Sequence, residues 1–546
     1  MKRLKFNILI AGVMTLGLLS ACSDSFLNVE PKTQLLDANF FKTQADAEMA
    51  LVGCYDGYQI TSSAFSPYMV AEVASDECFG GTGANDGRGF QLMDRLDKSQ
   101  SPADNDIFNY TWTRYYAGIY RCNTLLQKLP GVAKWNSTDA AVDSIAKKRI
   151  EGETRFLRGL MYFDLVRLFE NVPLLTAPTT DYVSQADASD TYKLIVEDLK
   201  FAVANIPAAA YPKAQSATND GRATRYVAEA LLARVYLFYT GYYGKDDLGV
   251  TKQEALAGLE DVISSNEFDL ISDYKKLWPA ASYVPKATDN TLDKTGYAGK
   301  GNKEVVFAQK FNSTSNYAGM SDGNGWLVMM GMRGTNFSLY GKGWGACPVN
   351  PQLVNSYVAG DTRKTASVID LVGEGIEGKF NINDQREYTG FTVKKYTPTS
   401  LPDGTSDTGG SKDFQISQDQ DYILIRYADV LLMAAELGSP NALDYFNKVH
   451  TRAGLTAVTS ISKSDIMTER KFELAFEGIR YWDLLRTGID NAATAIAAAS
   501  QTVKSGGVAD NVTYDAAKIK ATGGFMQIPN TQITLSNGTL TQNSGW

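Results

Sequence analysis

Histidine is almost missing from this chain: His450 is the only one among 546 residues. Ser-His-Asp, Cys-His and His-metal chemistry would all have to run through that one ring, which removes the commonest general base and metal ligand from nearly every conceivable site. His450 itself ends a helical stretch in "ALDYFNKVHTRAGL", where a histidine suits the negative end of the helix dipole. A positive charge excess is lacking too, with 53 Lys and Arg against 61 Asp and Glu, a net charge of −8 and a pI near 5.1. No basic field exists to hold phosphate backbones, so nucleic acid is not an expected partner. The five cysteines include no C-x-x-C pair and no EF-hand spacing occurs. No metal site follows from them, no cofactor is expected, and a structural Ca²⁺ held by scattered Asp is left open.

Long apolar runs are absent as well, the longest being about 14 residues near the N-terminus, short of the ~20 that a membrane helix needs. That run sits in "MKRLKFNILIAGVMTLGLLSAC", behind Lys2, Arg3 and Lys5 and ahead of small residues, the layout of a secretory signal over 1–21. Leu19-Ser20-Ala21-Cys22 resembles the bacterial lipobox, after which Cys22 becomes an acylated N-terminus. Each buried methylene contributes about 0.8 kcal/mol and two chains suffice for stable anchoring. The mature chain is expected to be a body on a lipid leash. Cys54, Cys78, Cys122 and Cys347 are left; outside the cytoplasm they could pair in three ways or stay as buried thiols.

What the sequence does contain is repeated helical pairs. "IEGETRFLRGLMYFDLVRLFE" is followed by "SDTYKLIVEDLKFAVANIP", "GRATRYVAEALLARVYLFYTGYYG" by "TKQEALAGLEDVISSNEFDL", and "DYILIRYADVLLMAAELG" by "SPNALDYFNKVHTRAGL". Small residues such as Gly159, Ala228, Ala233 and Ala434 alternate with Tyr, Leu and Phe at spacings of three and four, as close helix packing requires. The fold class expected is mainly α, a tetratricopeptide-like scaffold of stacked pairs. Residues 271–420 differ: they are rich in Gly, Asn, Ser, Thr and aromatics, with short strands of which "EVVFAQKF" is clearest. This divides the mature chain into a helical part, 22–270, and a part 271–546, made of a loop-rich lobe (271–420) and closing helices and tail (421–546). Long ordered loops are usually functional.

The lipobox with "CSDSFLNVEP", then "YTWTRYYAGIYRCNTLLQKLP", "RGLMYFDLVRLFENVPLL", "NPQLVNSYVAGDTRK", "YILIRYADVLLMAAE", "RKFELAFEGIRYWDLLRTG" and "FMQIPNTQITLSNGTLTQNSGW" together resemble the SusD/RagB family of Bacteroidetes surface lipoproteins. The resemblance implies a non-catalytic protein, lipid-anchored in the outer membrane and facing outward. It would capture a glycan, or in some members a peptide, and serve a partner TonB-dependent transporter of the SusC type.

A sugar ring offers an apolar C–H face and a rim of hydroxyls, so its readers should be loop aromatics of about 150–250 Å² flanked by polar groups. Trp326 in "DGNGWLV" and Trp344 in "GKGWGAC" fit this best, followed by Tyr283, Tyr297 and Tyr317. Trp278 follows a helical pair and competes with a role in closing its core. Asp322, Asn324 and Arg333 are candidates for hydroxyls, as are Asp86 and Arg88 in the early insert "SDECFGGTGANDGRGFQLMDR". Trp112 and Tyr115, on an amphipathic helix, are expected in the core.

One rival is a glycosidase built on Glu469, Glu473 and Glu477, four residues apart and close to the roughly 5–5.5 Å carboxyl separation of a retaining enzyme. Carboxyls on one helical stripe point the same way, whereas a catalytic pair must flank the scissile bond. The stripe is therefore expected to pack, with Arg426 and Arg452 as partners.

Overall fold

The computed structural model describes residues 40–59, 64–104, 106–206, 221–315, 322–334 and 339–546. Cys22 and Tyr317 lie outside these residues. The helical pairs form as the spacing predicts. Helices α1 (Gln44–Gly57) and α2 (Asn109–Lys128) are followed by α3 (Ala140–Phe169), α4 (Ala188–Asn205), α5 (Arg225–Tyr243) and α6 (Lys252–Ser264). Strand β1 (Val305–Gln309) and strand β2 (Tyr422–Arg426) precede α7 (Tyr427–Glu436), α8 (Ala442–Arg452) and α9 (Lys463–Glu473). Local chemistry sets their starts: Thr251 and Glu254 form a reciprocal capping box at α6, as Ser462 and Asp465 do at α9, while Thr224 caps α5.

Small residues let the pairs close. A methyl on Gly159 would touch Cβ of Asp198 on α4 at 3.6 Å. Beside it Arg158 and Asp198 make two parallel bonds of 2.8 Å, a buried fork between α3 and α4. Trp112 and Tyr115 are buried as expected. The third pair differs from expectation at its start. "YILIR" is strand β2, paired antiparallel with β1, because β-branched residues buried on both faces suit a sheet better than a helix. Among the described residues every sheet has two strands, so the lobe 271–420 is held mainly by loops.

The glutamate stripe departs from a single helix. α9 stops at Glu473, and Phe476 and Gly478 turn through φ +62 and +72. The amides freed by this turn are taken up from below: Phe476 N–H donates to Glu77 at 3.2 Å and Gly478 N–H to Glu72 at 2.5 Å. The three carboxylates are all buried and all paired. Glu469 meets Arg363 at 2.5 Å and His450 at 2.8 Å. Glu473 meets Arg426 at 2.8 Å and Arg452 at 2.5 Å, and Glu477 meets Arg426 and Lys395 at 2.7 Å each. Arg426 and Arg452 are the partners expected from sequence, whereas Arg363 and Lys395 come from the lobe. Burial alone would raise the Glu473 carboxyl, but Arg452, Arg426 and Arg363 outweigh it and hold it low. Carboxylates so enclosed cannot meet a substrate outside the protein.

Two opposed groups of carboxyls set a pH profile. Burial pushes Glu229 up to about 8 and also raises Glu77 and Asp94. These stay protonated in the folded chain at pH values where the unfolded chain has released the proton, so stability falls as pH rises from about 4.5 to 8. Asp76 and Asp483 are held well below their usual range: burial opposes this, but Arg480 overcomes it at the first and Arg470 at the second. Their contribution is lost as pH falls below about 4. Melting temperature is expected to peak near pH 5, with lower values at pH 8 and pH 3. A calorimetric series that rose from pH 5 to 8 would contradict this balance.

Candidate functional site

Candidates separated by some 250 residues are assembled on one face of the lobe. Gly81 N–H donates to Ala346 O and Thr82 N–H to Gly345 O, both at 2.8 Å, which zips the early insert to the "GKGWGAC" segment. The glycines on either side of Trp344 are required. A Cβ on Gly343 would lie 2.2 Å from Val328 O, and Gly345 has φ +67, where a side chain is strained. Trp344 N–H is fixed to Val328 O at 2.7 Å, while the residue is left 37% exposed, the only exposed tryptophan among the described residues. Arg333, paired with Gly343, bridges Asp86 at 3.1 Å and Asp384 at 3.2 Å. The backbone on either side of Trp344 thus meets Arg333, which pairs with Gly343 across the two short strands and lies 3.1 Å from where a Cβ on Gly345 would stand.

The insert is held from beneath by Arg386, which sequence reading missed. Its guanidinium donates to Ala84 O at 2.8 Å, Asp86 O at 3.0 Å, Gly87 O at 3.1 Å and Gln91 Oε1 at 3.1 Å. Its own amide donates to Thr82 O at 2.8 Å. Five bonds from one residue fix the irregular stretch 82–87 to the helix Gly89–Arg95 that follows it, and Arg88 between them is left exposed. Nothing in "NDQREYTG" separates Arg386 from a solvated arginine, so no sequence signal could have found it.

A second cluster gathers Tyr283 and Tyr297, both half-buried, with their rings edge to face at 6.0 Å. They line a cleft of about 230 Å³ together with Lys294, Lys300, Asp407 and Asp419. Lys294 lies 5.2 Å over the Tyr283 ring and pairs with Asp407 at 2.9 Å, and Lys300 reaches Asp419 at 3.5 Å. Burial pushes the Tyr283 phenol up to about 12 and raises Tyr297 as well. Both therefore stay neutral donors at physiological pH. The lysines and carboxylates were not singled out from sequence, although Asp407 stands in the Gly-rich "LPDGTSDTGGSKDF", where a carboxylate among turn residues is a usable signal.

Three candidates belong to the interior instead. Trp326 is fully buried in the short helix Gly325–Met330, 5.2 Å from the Tyr422 ring. Trp278 is fully buried 5.3 Å from Tyr396, closing the core as its position after a helical pair allowed. Asn324 caps the Gly325–Met330 helix, accepting from Trp326 N–H at 3.0 Å and donating to Gln420 O at 2.8 Å. "DGNGW" reads as an exposed loop, but Asn followed by Gly here opens a helix whose first turn points into the core. Asp322 lies half-buried just before that cap, with its amide on Ser315 Oγ at 2.7 Å. Among the described residues no three Asp, Glu, His or Cys stand together as a metal site, and no helix is long and apolar enough to cross a membrane.

Comparison with known proteins agrees with this architecture. The chain is 28% identical to a solved "Laminarin binding SusD-like protein", covering 92% of this chain and 100% of that one with a TM-score of 0.71. Surface glycan-binding protein A from Bacteroides thetaiotaomicron, solved in complex with laminarihexaose, is 22% identical over 92% of this chain and 100% of its own, again at 0.71, and shows the shared fold. SusD-like protein P2 of Formosa agariphila is 26% identical over 90% of this chain and 92% of its own length. Family models match at both ends: "Starch-binding associating with outer membrane" over residues 25–237 and "SusD family" over residues 372–546. Helical pairs, the loop lobe between them and these two matches make the chain a member of the SusD/RagB family.

Proposed function

We propose that this protein captures an oligo- or polysaccharide at the cell surface, anchored in the outer membrane through acylated Cys22, and delivers it to a partner SusC-like TonB-dependent transporter. The observation that carries the reading is the exposed Trp344 on the strand segment that pairs with Arg333, itself bridged to Asp86, with the Tyr283–Tyr297 cleft on the same lobe. A pyranose can lay its C–H face on the indole while its hydroxyls exchange hydrogen bonds with the guanidinium and carboxylates. The family's description supports outer-membrane association, and the names of two solved relatives make laminarin the first ligand to try.

The way the carboxylates are held supports capture rather than cleavage. Asp86, Asp407 and Glu469 are each already bridged to Arg or Lys, and Glu469 is buried. Native gel retardation of the mature protein against laminarin, starch, xylan and a peptide pool, with product analysis on the same samples, tests this reading. Retardation by a polysaccharide without shortening is the expected result. Release of oligosaccharide would make the protein an enzyme, and binding of the peptide pool alone would move it to peptide uptake. Recovery of a transporter with the tagged lipoprotein from detergent-solubilised membranes tests delivery.

A further inference from the structure

All four cysteines among the described residues are buried and stand as free thiols in this structure. Cys54 is close enough to Cys122 to help raise its thiol, as Cys347 is to Cys78, while Cys347 donates to Met69 Sδ at 3.5 Å. The two couples differ in backbone geometry. Cys54 lies one turn before Gly57 on α1, and Cys122 one turn after Gly118 on α2. A Cβ on Gly57 would stand 2.5 Å from Cα of Gly118, so the antiparallel helices touch backbone to backbone. On either side of that point Tyr58 stacks on Tyr115 at 6.5 Å and Arg121 donates to Gly53 O at 2.9 Å. Helices usually pack with axes about 8–10 Å apart, and a disulfide needs Cα atoms within about 4.4–6.8 Å. The glycine contact supplies that approach where the cysteines face each other.

The second couple sits on an antiparallel ladder out of register. Cys78 opposes Val349, so Cys347 lies two residues along, opposite Gly80. Such diagonal neighbours have Cα atoms about 7–8 Å apart, at or beyond the reach of a disulfide.

We propose that Cys54 and Cys122 are joined by a disulfide bond in the exported protein, while Cys78 and Cys347 stay as thiols. The assignment rests on the export reading above, because the cytoplasm would keep the pair reduced. The step is thiol–disulfide exchange with a disulfide-bearing oxidant of the cell envelope. One cysteine thiolate attacks the oxidant's disulfide and releases one of its thiols. The second cysteine thiolate then displaces the other, so two protein thiols become one disulfide and the oxidant becomes a dithiol. Burial pushes the Cys122 thiol up and makes it a poor nucleophile in the finished fold. Exchange therefore takes place while the chain folds after export.

The bond has a mechanical role. α1 is the first described helix after the segment that begins at Cys22, and it rests on α2. A covalent tie there carries tension on the lipid leash into the body of the scaffold.

The test is made on full-length lipoprotein extracted from membranes, with thiols blocked by N-ethylmaleimide at lysis and the protein digested without reductant. The expected digest contains a linked Cys54–Cys122 peptide and blocked Cys78 and Cys347. Reductant should lower the melting temperature by about 3–5 °C, from the entropy of a closed loop of about 70 residues. A Cys54→Ser/Cys122→Ser variant should show no such reductant effect. Blocked Cys54 and Cys122 together with a lipid-bearing Cys22 peptide would overturn the disulfide while leaving export intact. The same blocked thiols without lipid on Cys22 would overturn both. A link between any other two cysteines also refutes the assignment.

Discussion

Trp344→Ala is expected to weaken polysaccharide binding by about 10- to 100-fold, or about 1.4–2.8 kcal/mol, while leaving the melting temperature within a degree or two. The residue is partly open to solvent, and its backbone is held by the bond to Val328 O, which alanine keeps. Truncation therefore removes stacking area and little packing. Trp326→Ala should do the reverse. That ring is fully enclosed against Tyr422, and a buried Trp→Ala change costs about 3–5 kcal/mol. Both variants are measured by affinity electrophoresis and by thermal denaturation. Unchanged affinity in the Trp344 variant would remove that face of the lobe from ligand binding, whatever the fate of Trp326.

Arg426→Met is expected to have the largest effect on the scaffold. The guanidinium is buried and donates to Glu304 at 2.5 Å, Glu473 at 2.8 Å, and Glu477 at 2.7 Å and 2.8 Å. Removing it leaves three buried carboxylates short of a partner, and breaking a buried ion pair in this way costs about 3–5 kcal/mol. Loss of soluble yield, or a lower midpoint in urea, is the readout. Pairing the change with Glu473→Gln should restore part of the loss, because one of the stranded charges is then gone. A midpoint within about 1 kcal/mol of the parent would mean that water reaches this network. Arg452, which holds Glu304 at 2.9 Å and Glu473 at 2.5 Å, would then be carrying the balance.

The helical pairs were legible because their packing is local. Spacings of three and four, small residues at the crossings and Thr or Ser at the starts are all written within one or two turns. The strand in "YILIR" was not legible in the same way. A short apolar run suits a buried strand and a buried helix equally, and only its pairing with "VVFAQ" decides. The break in the glutamate stripe had the same origin: Glu72 and Glu77, some 400 residues earlier, accept the amides that a continuous helix would have used itself.

The loop-rich lobe divides along the same line. Trp344, Arg333, Asp86, Tyr283 and Tyr297 were marked by residue type on Gly-rich loops, and the fold leaves them exposed or half-buried in two clusters. Trp326, Trp278 and Asn324 carried the same local marks and are interior. Arg386, Lys294 and Asp419 carried none and line or support the face. The sequence by itself determined the family, the stacked helices and the loops that recognition would use, because periodicity and motif are properties of neighbouring residues. Which tryptophan faces outward, which arginine holds the loop and which carboxylates are neutralised were decided only by the tertiary structure. Exposure and ion pairing depend on residues that come together through folding from hundreds of positions away.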